Sequence, residues 1–364
     1  MKLPEKIRWT LNRIVKKMRT DENVYGIGLF GSWSRGDAAN TSDVDLLVLD
    51  ADNVGFEYTE RKEENGLLVD FNHIPKKWLV GIMPPELDQK ISELQIFYDR
   101  DWTLSNTKEW VAKGYNTPER IAIRTEAHVV EADIYLSRAT SALARHDAQS
   151  AQLYTTIALE NILKILLEIT NTPFSNSRFI RNLQKATEKL EMQPVLEEYM
   201  EISRLTDVTL GENEQRLRLF KHVWDETSFE IKNIKKEETH LQVRKNLGYY
   251  MNPLFLQGMI MRTKTLIAEA PPAEPAHYMQ NTLITIMENY AWTKTETQNT
   301  KLDLTTLIRA LKTTQQPKTH QETIQILNLQ EEDAEETRKN IEKTKQTIKK
   351  LRTERKQMIK RHVG

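Results

Sequence analysis

The sequence contains no cysteine, which excludes disulfides and thiolate metal sites and fits a reducing compartment. It carries no surplus charge: 52 Lys and Arg balance 52 Asp and Glu, so the strongly basic balance of many nucleic-acid-binding chains is absent. Long apolar runs are missing as well. The best of them, Pro253 to Met261, is interrupted by Gln257 and is far too short to span a bilayer. The first residues, Met1-Lys2-Leu3-Pro4-Glu5-Lys6, lack an apolar signal core, so a cytoplasmic chain with no membrane partner is expected. At 364 residues there is room for two or three domains, and 29% charged residues with a mean hydropathy of −0.60 suit a helix-rich protein.

What is present is concentrated in one stretch. An apolar strand, Val24 to Phe30, runs into Gly31-Ser32-Trp33-Ser34-Arg35-Gly36-Asp37. That segment should open a short helix whose free N–H groups face phosphates. Arg35, one turn on, either reaches the same phosphates or pairs with Asp37. Asp43 and Asp45 begin a second strand, Asp43 to Asp50. Alternation along a strand puts both carboxylates on one face, with Cα atoms roughly 7 Å apart. Two unpaired carboxylates repel, and a divalent cation removes that cost. A third acid, Asp70, stands alone in the strand Gly66 to Asn72. Three acids on two neighbouring strands can hold two Mg²⁺ about 3.5–4 Å apart.

Gly31-Ser32, the pair Asp43-Val44-Asp45 ten residues on, and the isolated Asp70 resemble the polymerase-β-type nucleotidyltransferases. The Gly-Ser-x-x-Arg-Gly-Asp run is closest to their minimal and kanamycin nucleotidyltransferase-like branches. The resemblance covers residues 1–117 and implies a catalytic domain there. It implies that Asp43, Asp45 and Asp70 bind two Mg²⁺, that Asp70 acts on the acceptor hydroxyl, and that Gly31, Ser32 and Arg35 bind an NTP, with ATP the expected donor. The acceptor stays open among a small molecule, a protein tyrosine and an RNA 3′ end. His73, beside Asp70, reads as structural rather than as a ligand, and so does Ser42.

Around these motifs the chain alternates helix and strand up to Thr117-Pro118. A helix is expected over 4–19, a polar loop up to about Asn65, a helix from Pro75, and an edge strand over Glu93 to Asp99. Beyond Pro118 only helices are expected, over Pro118–Ala144, Ala148–Thr170, 177–190, 193–205 and 212–233, giving an α+β chain with a helical bundle over 118–270. Pro271 to Pro275 reads as a linker to a C-terminal helical region, 271–364, ending in a long charged helix over 319–362. A partial heptad of Ile341, Ile348, Leu351 and Met358 runs along that helix, packing on its own bundle or on a partner, and a homodimer through helical regions is one expectation.

The bundle resembles the second domain of kanamycin nucleotidyltransferase-like enzymes, which implies a general-base glutamate, Glu126 or Glu131, with Glu131 taken as the candidate. It also looks like the HEPN bundles that accompany minimal nucleotidyltransferases. Those use an Arg and a His on one helix, and Arg216 with His222, or Arg355 with His362, approximate that spacing. In so arginine-rich a chain the match has little specificity, and a surface pair is expected. The rival function is therefore a toxin–antitoxin-like module whose bundle binds or cleaves RNA.

Overall fold

The structure, a computed structural model, describes residues 3–39, 41–51, 54–234, 239–298, 303–330 and 333–363. It divides into two compact units, Met1–Asn116 with His240–Arg262, and Thr117–Thr239 with Thr263–Gly364. The first is a small mixed sheet with helices, and the described part of the second is helical, so the chain is α+β.

In the first unit, α1 (Glu5–Met18) forms because Ile7, Leu11 and Ile14 recur at helical spacing, and all three are buried. β1 (Val24–Phe30) leads into α2 (Gly31–Arg35), a short helix closed by Gly36 at φ 84°. Next come β2 (Val44–Asp50), β3 (Tyr58–Glu64) and β4 (Leu67–Pro75). α3 (Lys76–Val80), α4 (Asp88–Glu93), edge strand β5 (Gln95–Asp99) and α5 (Thr103–Gly114) follow. The strand order is β3-β4-β2-β1-β5, with β2 and β4 parallel and all other neighbours antiparallel. Leu46, Val48, Val69 and Phe71 pack with α1 on one face. Leu47, Leu49 and Ile74 pack with Ile91, Leu94 and Leu104 on the other.

β3 stands where the sequence reading ran a polar loop. Five of its seven residues are charged, which masks any apolar alternation, and such charges are what an exposed sheet edge carries to discourage pairing with another chain. The strand is fixed by the turn Asn65-Gly66, whose residues take φ 56° and 68° and close the hairpin at Glu64 opposite Leu67.

In the second unit, α6 (Pro118–Ala144), α7 (Ala148–Ile169), α8 (Phe179–Lys189), α9 (Gln193–Ile202) and α10 (Leu210–Lys232) lie close to the expected ranges. α11 (Leu241–Tyr250) and the first half of α12 (Pro253–Glu269) cluster with the sheet, although residues 240–262 read as part of the 118–270 stretch. α13 (Ala273–Gln298), α14 (Leu307–Thr314), α15 (Pro317–Ile326) and α16 (Ala334–His362) follow.

The expected linker at Pro271 to Pro275 is a tight join. Pro275 sits in the first turn of α13, where a missing N–H is tolerated. The single helix expected over 319–362 is two helices. Asn328 takes φ 60° just after α15, and Asp333 caps α16 by accepting from the Glu335 N–H at 3.1 Å. Ile341, Ile348, Leu351 and Ile359 of α16 are buried, and the helix packs on α6 and α7 of its own unit. Among the described residues no helix is long and apolar enough to cross a membrane.

Candidate active site

Sheet register decides which side chains meet. Arg61 on β3 lies opposite Asp70 on β4, Asp70 opposite Asp45 on β2, and Asp45 opposite Phe30 on β1, the residue before Gly31. Residues opposite one another on adjacent strands share a face, so this row points one way, and Asp43 joins it from two positions before Asp45.

The carboxylates are held by cations. Arg61 Nε donates to Asp70 Oδ1 at 2.6 Å, and its Nη2 donates to Asp70 Oδ2 and Asp43 Oδ2, each at 2.5 Å. Arg262 Nη2, from α12, donates to Asp43 Oδ1 at 2.9 Å. Tyr249, from α11, donates its phenolic O–H to Asp70 Oδ2 at 2.9 Å. Only 5% of the Arg61 side chain is exposed, so these partners are what compensate its desolvation. Asn252 Nδ2 donates to the Arg61 carbonyl at 3.0 Å, and Gly258 of α12 leaves room for the guanidinium, since a Cβ there would stand 2.5 Å from Arg61 Nη1.

Three carboxyl groups face two guanidinium groups, whose hydrogen bonds go to Asp43 and Asp70. Burial, and then the neighbouring Asp43 and Asp70, push the Asp45 carboxyl well above the usual carboxylate range, with Arg61 and Arg262 offsetting only part. Burial also raises Asp70, against the bonds from Arg61. Burial opposes the charge on Arg61, but the bonds to Asp70 and the nearby acids hold its proton more tightly than usual. Burial and Asp70 push the Tyr249 phenol well above its ordinary value.

Among the described residues no three His, Cys, Asp or Glu side chains are set to hold a metal ion, and guanidinium groups bond the oxygens of Asp43 and Asp70. The donor set itself suits a divalent cation: it is all-carboxyl, and Asp43 already collects positive charge from Arg61 and Arg262. A metal would take the place of the arginines.

The turn beside the acids is also held by neighbouring side chains. Gly31 takes φ 72°, and a Cβ on it would meet Asp45 Oδ2 at 2.5 Å, so only glycine suits both the backbone and the neighbour. Glu93 Oε2 accepts from the Gly31 N–H at 3.2 Å and from Arg35 Nη1 at 2.7 Å. Arg35 also pairs with Asp37 at 3.3 Å. A carboxylate thus sits where the sequence reading put a phosphate, and the Arg35 guanidinium is engaged by two acids. Ser32 is half-buried beside them. Gly31→Ala is expected to lower Tm and to remove any nucleotide transfer, because both φ and the Asp45 contact resist the methyl group. Unchanged melting and turnover would show that the turn tolerates a side chain.

The other residues singled out lie elsewhere. Ser42 Oγ accepts from the Ala39 N–H at 2.9 Å, a turn contact. His73 points to the opposite sheet face from Asp70, bonds Asp50 at 2.6 Å and stacks on Tyr58 with centroids 4.6 Å apart. These two line a cavity of about 460 Å³ together with Ile14, Met18 and Phe71, away from the three aspartates. Cavity volume and chemistry therefore point to different faces, and the convergent acids decide for the chemistry.

In the second unit, Glu126 pairs with Arg355, and Glu131 is exposed on α6. Arg216 is buried with Nη1 unpartnered, whereas the partly exposed His222 pairs with Glu322. No hydrogen bond joins Arg216 to His222. His222→Ala is expected to leave any nucleotide transfer unchanged and to cost under about 1 kcal/mol of stability. An RNA-cleaving activity lost in that variant would restore the nuclease reading.

Arg61, Tyr249, Arg262 and Glu93 escaped the sequence reading. Asn65-Gly66 could have revealed β3 and with it the register of Arg61 opposite Asp70. The other three carry no local pattern that announces them.

No curated protein matches the chain. Among solved structures, a nucleotidyltransferase-like protein from Exiguobacterium sibiricum 255-15 is similar over 89% of this chain and 89% of that one, at 10% identity. Its TM-score of 0.34 is too low to carry an argument. Residues 11–95, which hold Gly31, Ser32, the three aspartates and Arg61 and leave out Tyr249 and Arg262, match the family model described as a nucleotidyltransferase domain.

Proposed function

We propose that the first unit transfers a nucleoside monophosphate from an NTP, with ATP the first candidate, to a hydroxyl acceptor and releases pyrophosphate. The observation that carries this reading is the row of Asp45 and Asp70 on adjacent parallel strands, with Asp43 beside them and the Gly31 turn at the end of the next strand. Asp43, Asp45 and Asp70 would hold Mg²⁺, which neutralises charge on the phosphates when bound. Gly31 and Ser32 would offer N–H and hydroxyl groups to the triphosphate, a role supported by the carboxylate that the Gly31 N–H now binds. Arg35 would exchange Glu93 for a phosphate oxygen. Asp70 would take the proton of the attacking hydroxyl, as its bond to a phenolic O–H supports. The acceptor class stays among a small molecule, a protein tyrosine and an RNA 3′ end.

The test is to incubate the purified protein with each α-labelled NTP, Mg²⁺ and a cell extract. Label moving to an acceptor with matching pyrophosphate release is the expected result. Intact NTP and no pyrophosphate with all four nucleotides would overturn the reading.

A further inference from the structure

A transfer to a hydroxyl needs that hydroxyl within hydrogen-bond reach of a base, about 2.6–3.2 Å. The chain already presents one. Tyr249 Oη stands 2.9 Å from Asp70 Oδ2 and donates to it. The ring is fixed edge-on to Phe255, with centroids 5.2 Å apart, and Arg61 Cζ lies 5.4 Å from its centre. α11 is tied to β3 by Lys245 and Glu60 at 3.3 Å, so the phenol is anchored to the same sheet that carries Asp70. Tyr249 is half-buried rather than sealed, and both residues belong to the first unit.

We propose that Tyr249 is a self-modification site, to which the chain transfers a nucleoside monophosphate from its own bound NTP. The inference rests on the nucleotidyl-transfer reading above and names the acceptor as a phenol of the same chain. In the step, Tyr249 Oη forms a bond to the α-phosphorus. The bond from that phosphorus to the oxygen bridging to the β-phosphate breaks, its electron pair leaving with pyrophosphate, and the phenolic proton passes to Asp70. The product is a phosphodiester between Tyr249 and the nucleoside, and no oxidant, reductant or further co-reactant enters. Holding the hydroxyl beside its base makes the reaction unimolecular within the chain, which favours it over attack by a dissolved hydroxyl. The modified oxygen has no proton left to donate to Asp70, so each chain reacts once.

The full chain is incubated with Mg²⁺ and each α-labelled NTP in turn, without any other acceptor. Pyrophosphate is measured alongside protein-bound label, and the label is mapped on peptides. The expected result is label at Tyr249 reaching one per chain, matched by pyrophosphate, at a rate per chain that does not change as the protein is diluted. Tyr249→Phe should lose the label, and Tyr250→Phe, altered at the neighbouring ring, should keep it. Pyrophosphate released by the wild-type chain with no label on the protein overturns the self-modification and leaves nucleotidyl transfer standing. Label mapped elsewhere, or undiminished in Tyr249→Phe, also overturns it. No pyrophosphate with any NTP, even when cell extract is added, overturns both readings. Faster transfer to extract acceptors by Tyr249→Phe, from a wild type that takes no label, would make Tyr249 a plug instead of an acceptor.

Discussion

Asp45→Asn is expected to cut nucleotide transfer sharply and, at the same time, to raise the melting temperature of the metal-free protein. The two effects have one cause. Burial and its acidic neighbours raise the Asp45 carboxyl above the usual range, and Arg61 and Arg262 offset only part of that rise. A carboxyl whose folded value lies above its unfolded value, near about 4, favours the fold at low pH, and that contribution is lost as pH rises through the folded value. Asparagine keeps the shape and never ionises, so it escapes the loss. The gain in Tm over wild type in EDTA should therefore be larger at neutral pH than at about pH 4. Transfer should fall by roughly a hundred- to a thousand-fold, the scale for removing one charge-stabilising group. Near-wild-type turnover, or a lower Tm at neutral pH, would sink the assignment of Asp45.

Arg61→Ala should act in the opposite sense. It leaves Asp70 and part of Asp43 as carboxylates without their partner, and breaking a buried pair costs about 3–5 kcal/mol. In a unit of this size that corresponds to a fall of roughly 10 °C or more in EDTA. If a divalent cation takes the oxygens that the guanidinium holds, Mg²⁺ should raise the Tm of the variant more than that of wild type. Equal shifts in both proteins would mean that the ion and the arginine do not share a place. Gly258→Ala gives a milder version, pressing on Arg61 Nη1 while leaving every charge present. It should show a smaller loss and a smaller Mg²⁺ response.

Much of the site was legible because its parts are local. Gly31-Ser32, Asp43-Val44-Asp45 and Asp70 each sit at strand ends or in strands whose apolar neighbours mark them, and the register that joins them follows from the parallel pairing of β2 and β4. β3 was hidden because its alternation is written in charges, even though Asn65-Gly66 spells a two-residue hairpin. Arg35 was legible as a residue but not in its partner. Glu93 lies 58 positions away, on a helix whose sequence says nothing about the Gly31 turn. Tyr249 and Arg262 were illegible for the same reason in stronger form. They reach Asp70 and Asp43 across 179 and 219 positions, distances over which periodicity carries no information.

The first unit is assembled from two stretches of chain separated by residues 117–239. During synthesis, the strands bearing Asp43, Asp45 and Asp70 leave the ribosome before Tyr249 and Arg262 have been made. At about 5–20 residues per second the interval is on the order of ten seconds. Throughout it Asp43 and Asp70 have Arg61, but not yet Arg262 or the Tyr249 hydroxyl, as a partner. The set of hydrogen bonds that satisfies Asp43 and Asp70 is thus complete only in chains extended past Arg262. The length of chain inserted between the sheet and its last two side chains sets that delay.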